Sequence, residues 1–202
     1  VERMRALGAP LRTDTGAAAE FRLPLADVSL PALGIPPSFI AVIPGARWDT
    51  KRWPLDRYTE IVRRLLQRGE SVLLLGSADE KPLCDHLASA LDISDRPAPV
   101  ALVNLAGKTD LPTLIAILTR ARFIIANDSG PLHVATALGV TALSLYGPTD
   151  PAFVGPYGQL ANTLRHDVPC FPCRNRECSH HSCMNGIPVE LVWEKTQSLL
   201  KH

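Results

Sequence analysis

From residue 39 to residue 145, short apolar runs alternate with amphipathic stretches, and polar loops bearing glycine or proline separate them. Phe39 to Ile43 is continuously apolar and too short for a helix, so it predicts a strand buried on both faces. Between Pro54 and Arg68, the residues Leu55, Tyr58, Ile61, Val62, Leu65 and Leu66 recur at helical spacing, and Gly69 marks the stop. The alternation continues with a strand over Ser71 to Leu75, the loop Gly76-Ser77-Ala78-Asp79-Glu80, and a helix through Leu91. A short strand at Val103-Asn104-Leu105 follows, then a helix from Asp110 to Ala121, with Thr109 as its cap and Pro112 in its first turn. A strand over 122–126, an Ala-rich helix from Leu132 to Leu138 closed by Gly139, and a strand from Thr141 to Leu145 complete the run. A last helix is predicted from Pro188 to Leu200. This spacing predicts a mostly parallel sheet with helices on both faces, a three-layer, Rossmann-like α/β fold. In such sheets ligands bind beyond the carboxyl ends of the strands, and the polar loops all leave strands at that edge.

The start of the chain has a different character. Residues 9–38 are rich in Pro and Ala, with Pro10, Pro24, Pro31, Pro36 and Pro37 interrupting any long element. They read as linker or edge material with one strand around Phe21 to Leu25. Val1 to Gly8 reads as the last turns of a helix, so the chain is expected to be the carboxyl-terminal part of a longer protein. The expected division is an interdomain segment with a remnant of a preceding domain over 1–38, and an α/β domain over 39–202.

A formal net charge of +1 gives no reason to expect nucleic acid as a partner. No apolar run approaches the roughly 18 residues of a membrane span, and the first residues lack a signal-peptide layout, so the protein reads as cytoplasmic.

The richest stretch is Asn127-Asp128-Ser129-Gly130-Pro131-Leu132-His133, which follows the apolar run Phe123 to Ala126 and opens a helix. Unpaired N–H groups and the helix dipole favour an anion there, and Gly130 lets a phosphate approach the backbone. Asp128 and Ser129 also read as an ordinary helix cap; the two roles are compatible. Because an aspartate would repel phosphates, Asp128 is assigned to sugar hydroxyls, and Ser129 and Gly130 to phosphates. His133, in the first helical turn, faces the same site as a phosphate or sugar contact, or is structural. Lys51, flanked by Arg47 and Arg52 and by Trp48 and Trp53, is placed to neutralise a diphosphate, the alternative being a solvated side chain. Trp53 reads as core. Glu80 complements a helix dipole and could equally hold a ribose diol.

Cys170, Cys173, Cys178 and Cys183 fall within fourteen residues, beside His180 and His181. They are candidates for one structural zinc, the alternative being reduced or adventitiously oxidised thiols; Cys84 reads as core. No Ser/His/Asp triad, HExxH or P-loop is present.

These residues resemble glycosyltransferase family 9, the bacterial ADP-heptose:lipopolysaccharide heptosyltransferases. The resemblance rests on Pro44-Gly45-Ala46-Arg47 with Lys51-Arg52-Trp53-Pro54, on Asn127 to His133, and on Tyr146-Gly147-Pro148-Thr149-Asp150-Pro151. The segment from Cys170 to Cys183 is similar to that of heptosyltransferase II-type members. The resemblance implies a GT-B fold, of which this chain is the carboxyl-terminal, donor-binding half. It further implies that Lys51 contacts donor phosphates or sugar, that Asp128 holds heptose hydroxyls, and that Ser129, Gly130 and His133 hold the pyrophosphate. Glu80 matches the acidic residue that binds the adenosine ribose. Ala46 and Arg47 stand where family members carry phosphate-binding hydroxyls, with Thr50 as the available substitute. The catalytic base lies in the half not represented here, so this fragment is expected to be inactive alone.

The implied activity is inverting transfer of heptose from ADP-heptose to a lipid A–core acceptor, reached through the other half, with at most peripheral contact at the inner face of the inner membrane. No cofactor is required. Two alternatives stand beside it: another GT-B enzyme using a UDP- or GDP-sugar, such as a nucleotide-sugar 2-epimerase, and a non-catalytic nucleotide-binding or interaction module.

Overall fold

The computed structural model describes residues 30–91 and 100–201. The helix end expected at 1–8 and the strand expected near 21–25 lie outside them. Six strands form one parallel sheet in the order β3-β2-β1-β4-β5-β6. They are β1 (Ile40–Ile43), β2 (Val72–Leu74), β3 (Leu102–Asn104), β4 (Ile124–Asn127), β5 (Ala142–Tyr146) and β6 (Thr163–Arg165). The helices are α1 (Leu55–Gln67), α2 (Lys81–Ser89), α3 (Leu111–Arg120), α4 (Gly130–Ala137), α5 (Pro151–Val154), α6 (Ser182–Asn185) and α7 (Val189–Leu200).

Side-chain alternation along β1 divides the core. Ile40 and Val42 join the cluster that holds Trp53, Tyr58, Ile61, Leu65 and Val192, under α1 and α7. Ala41 and Ile43 join the opposite cluster with Ile117, Leu118 and Leu132, under α3 and α4. All residues of β1, β2, β4 and β5 are buried, which is why their sequences are apolar on both faces, apart from the hydrogen-bonded Asn127 and Ser144. The expected three-layer α/β architecture is therefore present. Each fully buried Leu or Ile of α1 contributes ~2 kcal/mol by leaving water, and that burial, rather than propensity, holds the helix to the sheet. Gly69, with φ +82, ends it in the left-handed conformation that favours glycine.

Several boundaries differ from the sequence pattern for physical reasons. Asp110, not Thr109, caps α3: its carboxylate accepts from Thr113 N at 2.9 Å. The helix expected from Leu132 begins at Gly130, because Ser129 turns out of the strand in an extended conformation and Pro131 fits the first turn. The strand β6 was not expected. Thr163-Leu164-Arg165 has one apolar residue, and it is recruited by pairing with β5, where the Ser144 and Thr163 hydroxyls meet at 2.8 Å. Trp53 and Cys84 are buried in the core as expected. Among the described residues no helix is long and apolar enough to cross a membrane.

Candidate functional site

From β1 the chain progresses to one side of the sheet through β2 and β3, and from β4 to the other through β5 and β6. The loops leaving β1 and β4 therefore diverge at their carboxyl ends, the position where open α/β sheets accept ligands. A cleft of about 580 Å³ opens there. Gly45, Arg47, Arg52 and Glu80 line it on the β1–β2 side, Ser129 and Gly130 on the β4 side, and Leu75, Leu111 and Leu114 give it an apolar wall. At Gly130 an added Cβ would meet nothing within 4 Å, so the backbone is open to the cleft. The buried Ser129 Oγ has no hydrogen-bond partner among the described residues. A buried hydroxyl left unpaired is costly, and a turn of the side chain towards a ligand oxygen in the cleft would remove that cost.

Asp128, Lys51 and His133 flank this cleft rather than line it. Asp128 is buried, with its side chain 5% exposed. Its Oδ2 accepts from Lys51 Nζ at 2.6 Å and from Thr149 Oγ1 at 2.6 Å, while Oδ1 faces His133 Nε2 at 3.5 Å. Burial works to raise the Asp128 carboxyl, but hydrogen bonds with His133, Lys51 and Thr149 outweigh it and hold the group below the usual carboxylate range. Lys51 Nζ also lies 4.5 Å from the Trp48 ring centroid, and the Arg176 guanidinium lies 4.9 Å from the same ring. Three sequence-predicted residues thus meet in one network, with Thr149 as a member that sequence reading missed. Its place in the loop after β5, at the same sheet edge, was the available signal.

Glu80 sits at the N-cap of α2, and its Oε2 accepts from Ser77 N at 2.8 Å. Its carboxyl group packs against Gly45, where a Cβ would overlap it. Arg47 is exposed at the cleft and has no ion-pair partner among the described residues. Arg52 is held by its own loop, donating through Nε to Ala46 O at 2.9 Å and pairing with Asp49 at 2.6 Å.

One expectation needs correction, and a second is left unconfirmed by the geometry. Thr50 does not offer its hydroxyl to the cleft: it is buried, and Oγ1 donates to Asn175 O at 2.8 Å on the far side of the loop. The four late cysteines line one small cavity of about 50 Å³ with His180 and His181, yet no three His, Cys, Asp or Glu residues among those described are arranged to hold a metal ion. Their depths differ: Cys183 is buried under Gly147, while Cys170 is exposed. All five cysteines are free thiols.

The family model described as glycosyltransferase family 9 (heptosyltransferase) matches residues 2–184. Lipopolysaccharide heptosyltransferase 1 of Pseudomonas aeruginosa is 37% identical over 186 residues, covering 89% of this chain and 48% of that protein. Lipooligosaccharide heptosyltransferase 2 of Haemophilus influenzae is 32% identical over 165 residues, covering 80% and 47% respectively. The solved structure of E. coli ADP-heptose lps heptosyltransferase II superimposes with a TM-score of 0.70 at 27% identity, covering 89% of this chain and 54% of that one. The chain spans about half the length of the curated relatives it matches. A sheet with its ligand cleft at the switch point, matched by a family model across most of the sequence, places this chain in glycosyltransferase family 9.

Proposed function

We propose that the chain is the donor-binding part of an inverting glycosyltransferase that moves heptose from ADP-heptose to the lipopolysaccharide inner core. The observation that carries this reading is the unpaired Ser129 hydroxyl beside open Gly130, at the start of α4 and in the wall of the cleft. The heptosyltransferase relatives supply the sugar and the acceptor class. Residues 39–202 form the donor domain, and 1–38 lead to it from the rest of the enzyme.

In this reading the diphosphate sits on Ser129, Gly130 and the first N–H groups of α4, with His133 at its edge. Asp128 orients the heptose hydroxyls, and Glu80 takes the ribose diol. The flat base lies on the apolar wall of Leu75, Leu111 and Leu114. As the glycosidic bond breaks, negative charge builds on the departing diphosphate. Lys51, preset by Asp128 and Thr149, stabilises that charge without reorganising, and Arg47 adds a second cation at the mouth of the cleft. The base that deprotonates the acceptor hydroxyl belongs to the other half of the enzyme, so this chain alone binds donor without turning it over. The acceptor is lipid-linked, which puts the reaction at the inner face of the inner membrane by peripheral contact. The late cysteines act as thiols here, since a zinc ion among them would require their side chains to regroup.

Calorimetric titration with ADP, GDP and UDP tests the reading. ADP should bind best, and Lys51→Ala should weaken it by ~10-fold or more, the loss of one charged contact. A preference for UDP or GDP would discard the heptose donor, and an unchanged affinity in the mutant would remove Lys51 from the site.

A further inference from the structure

Asn127 is fully buried and its carboxamide makes four hydrogen bonds. Nδ2 donates to Pro44 O at 2.8 Å and to Gly45 O at 3.3 Å. Oδ1 accepts from Trp53 N at 3.1 Å and from Tyr58 OH at 3.0 Å. Two of these partners can only accept and the backbone N–H can only donate, so the orientation of the amide is fixed by chemistry. Burial raises the Tyr58 hydroxyl well above its ordinary range, so it remains a donor at any physiological pH.

The partners have a particular arrangement along the chain. Pro44 and Gly45 begin the loop after β1, and Trp53 ends it. One side chain therefore binds both ends of the segment that carries Arg47, Lys51 and Arg52. A second rung inside the neck, Arg52 Nε to Ala46 O, shortens the loop further. Lys51 N donates to Trp48 O at 3.0 Å, which holds Lys51 in a tight turn directly before that rung. Asn127 is also the residue before Asp128, so the end of β4 closes the loop with one side chain and grips its lysine with the next.

We propose that Asn127 is a positioning residue that clasps the 44–53 loop at its neck and so presets Lys51 for the donor diphosphate. The proposal rests on the donor-binding reading above. The four partners need an amide, with two donors on one atom and an acceptor on the other. Aspartate would set an oxygen against the Pro44 and Gly45 carbonyls, and an apolar side chain would leave four buried groups unpaired.

The test is N127D in the full chain, alone and combined with K51A, with folding checked by near-ultraviolet circular dichroism. Two readouts are used. Without ligand, amide hydrogen exchange over residues 46–52 should rise ~10-fold or more in N127D while β5 is unchanged. With ADP, N127D should weaken binding ~10-fold in the parent background and less than ~2-fold in the K51A background. Unchanged loop exchange would overturn the clasp. An equal loss of affinity in both backgrounds would overturn positioning through Lys51, because a residue that only supports the fold weakens both alike. If N127D does not fold, Tyr58→Phe removes one donor from the same Oδ1 and is read in the same cycle. Its expected loss is ~3-fold with Lys51 present and none without it, and equal losses overturn the proposal. If the parent chain binds no ADP, the donor-binding reading fails. Loop exchange, together with the labelling rate of the Lys51 amine, then decides the clasp by itself: a rise in both supports it and no change overturns it.

Discussion

Asp128 accepts from a lysine and a threonine and faces a histidine, and its carboxyl is held below the usual range although burial opposes this. A folded pKa below the unfolded value of ~3.9 means that the network stabilises the fold fully above that pH, and the contribution is lost as pH falls through the folded value. Urea unfolding midpoints measured from about pH 6 down to pH 2 should therefore drop in the acid limb, and Asp128→Asn should flatten part of that drop. Lys51→Ala would take one charged hydrogen bond from a buried carboxylate that keeps Thr149 and His133, and cost ~2 kcal/mol of stability, beyond its effect on ligand. The cysteines separate by the same logic. Burial pushes the Cys84 thiol up to about 12, and Cys183 is also raised by burial, whereas Cys170 is exposed. Alkylation of the native chain at neutral pH, read by mass spectrometry, should modify Cys170 first and Cys84 only on unfolding. Where the candidate residues stand was legible at this scale: Lys51, Asp128, Ser129 and His133 all lie at the predicted edge. Their partnerships were not, because a side chain such as Thr50 can face either side of a loop, and only packing against Asn175 decides which.

The element that most shapes the cleft is the loop after β1, and its first glycine sets the fit. Gly45 faces the Glu80 carboxyl at a distance that leaves no room for a Cβ. Gly45→Ala should displace Glu80 and weaken ADP by ~10-fold, while adding Glu80→Ala should remove the collision, so that Gly45→Ala costs little in that background. A calorimetric double-mutant cycle checks this. The Cys170–Cys183 segment straps the same loop, since Asn175 O takes the Thr50 hydroxyl and Arg176 covers Trp48, and it is tied to the loop after β5 by Arg174 N donating to Pro148 O at 2.9 Å. The periodicity exposed the helices well because their stripes are buried against a sheet; α1 differs from its expected span by one residue at each end. It missed α5 and α6, four residues each, and the strand β6. Such short elements exist through pairing and capping, such as Asp150 Oδ1 accepting from Ala152 N at 2.9 Å, and contribute too little pattern to read.

At the scale of the whole molecule, alternating strands and helices gave the layers and the mostly parallel sheet, while the strand order came only from the structure. That order decides where the cleft lies, since it places β1 beside β4 and opens the space between their loops. Pattern along a chain carries each strand's burial but not its neighbour, and several orders share one sequence of elements. The same adjacency bears on how the protein reaches its native state. Ala41 pairs with Ile124, and Asn127 bonds to Pro44 across 83 residues of sequence. The binding site is built on contacts of long sequence separation, whose loop-closure entropy is met before they reward the chain. The helices on either side can form locally, but the cleft exists only once β1 and β4 have met. A ligand seated across that seam therefore acts on unfolding more than on folding: it slows the parting of the two strands and leaves the search that brings them together unchanged.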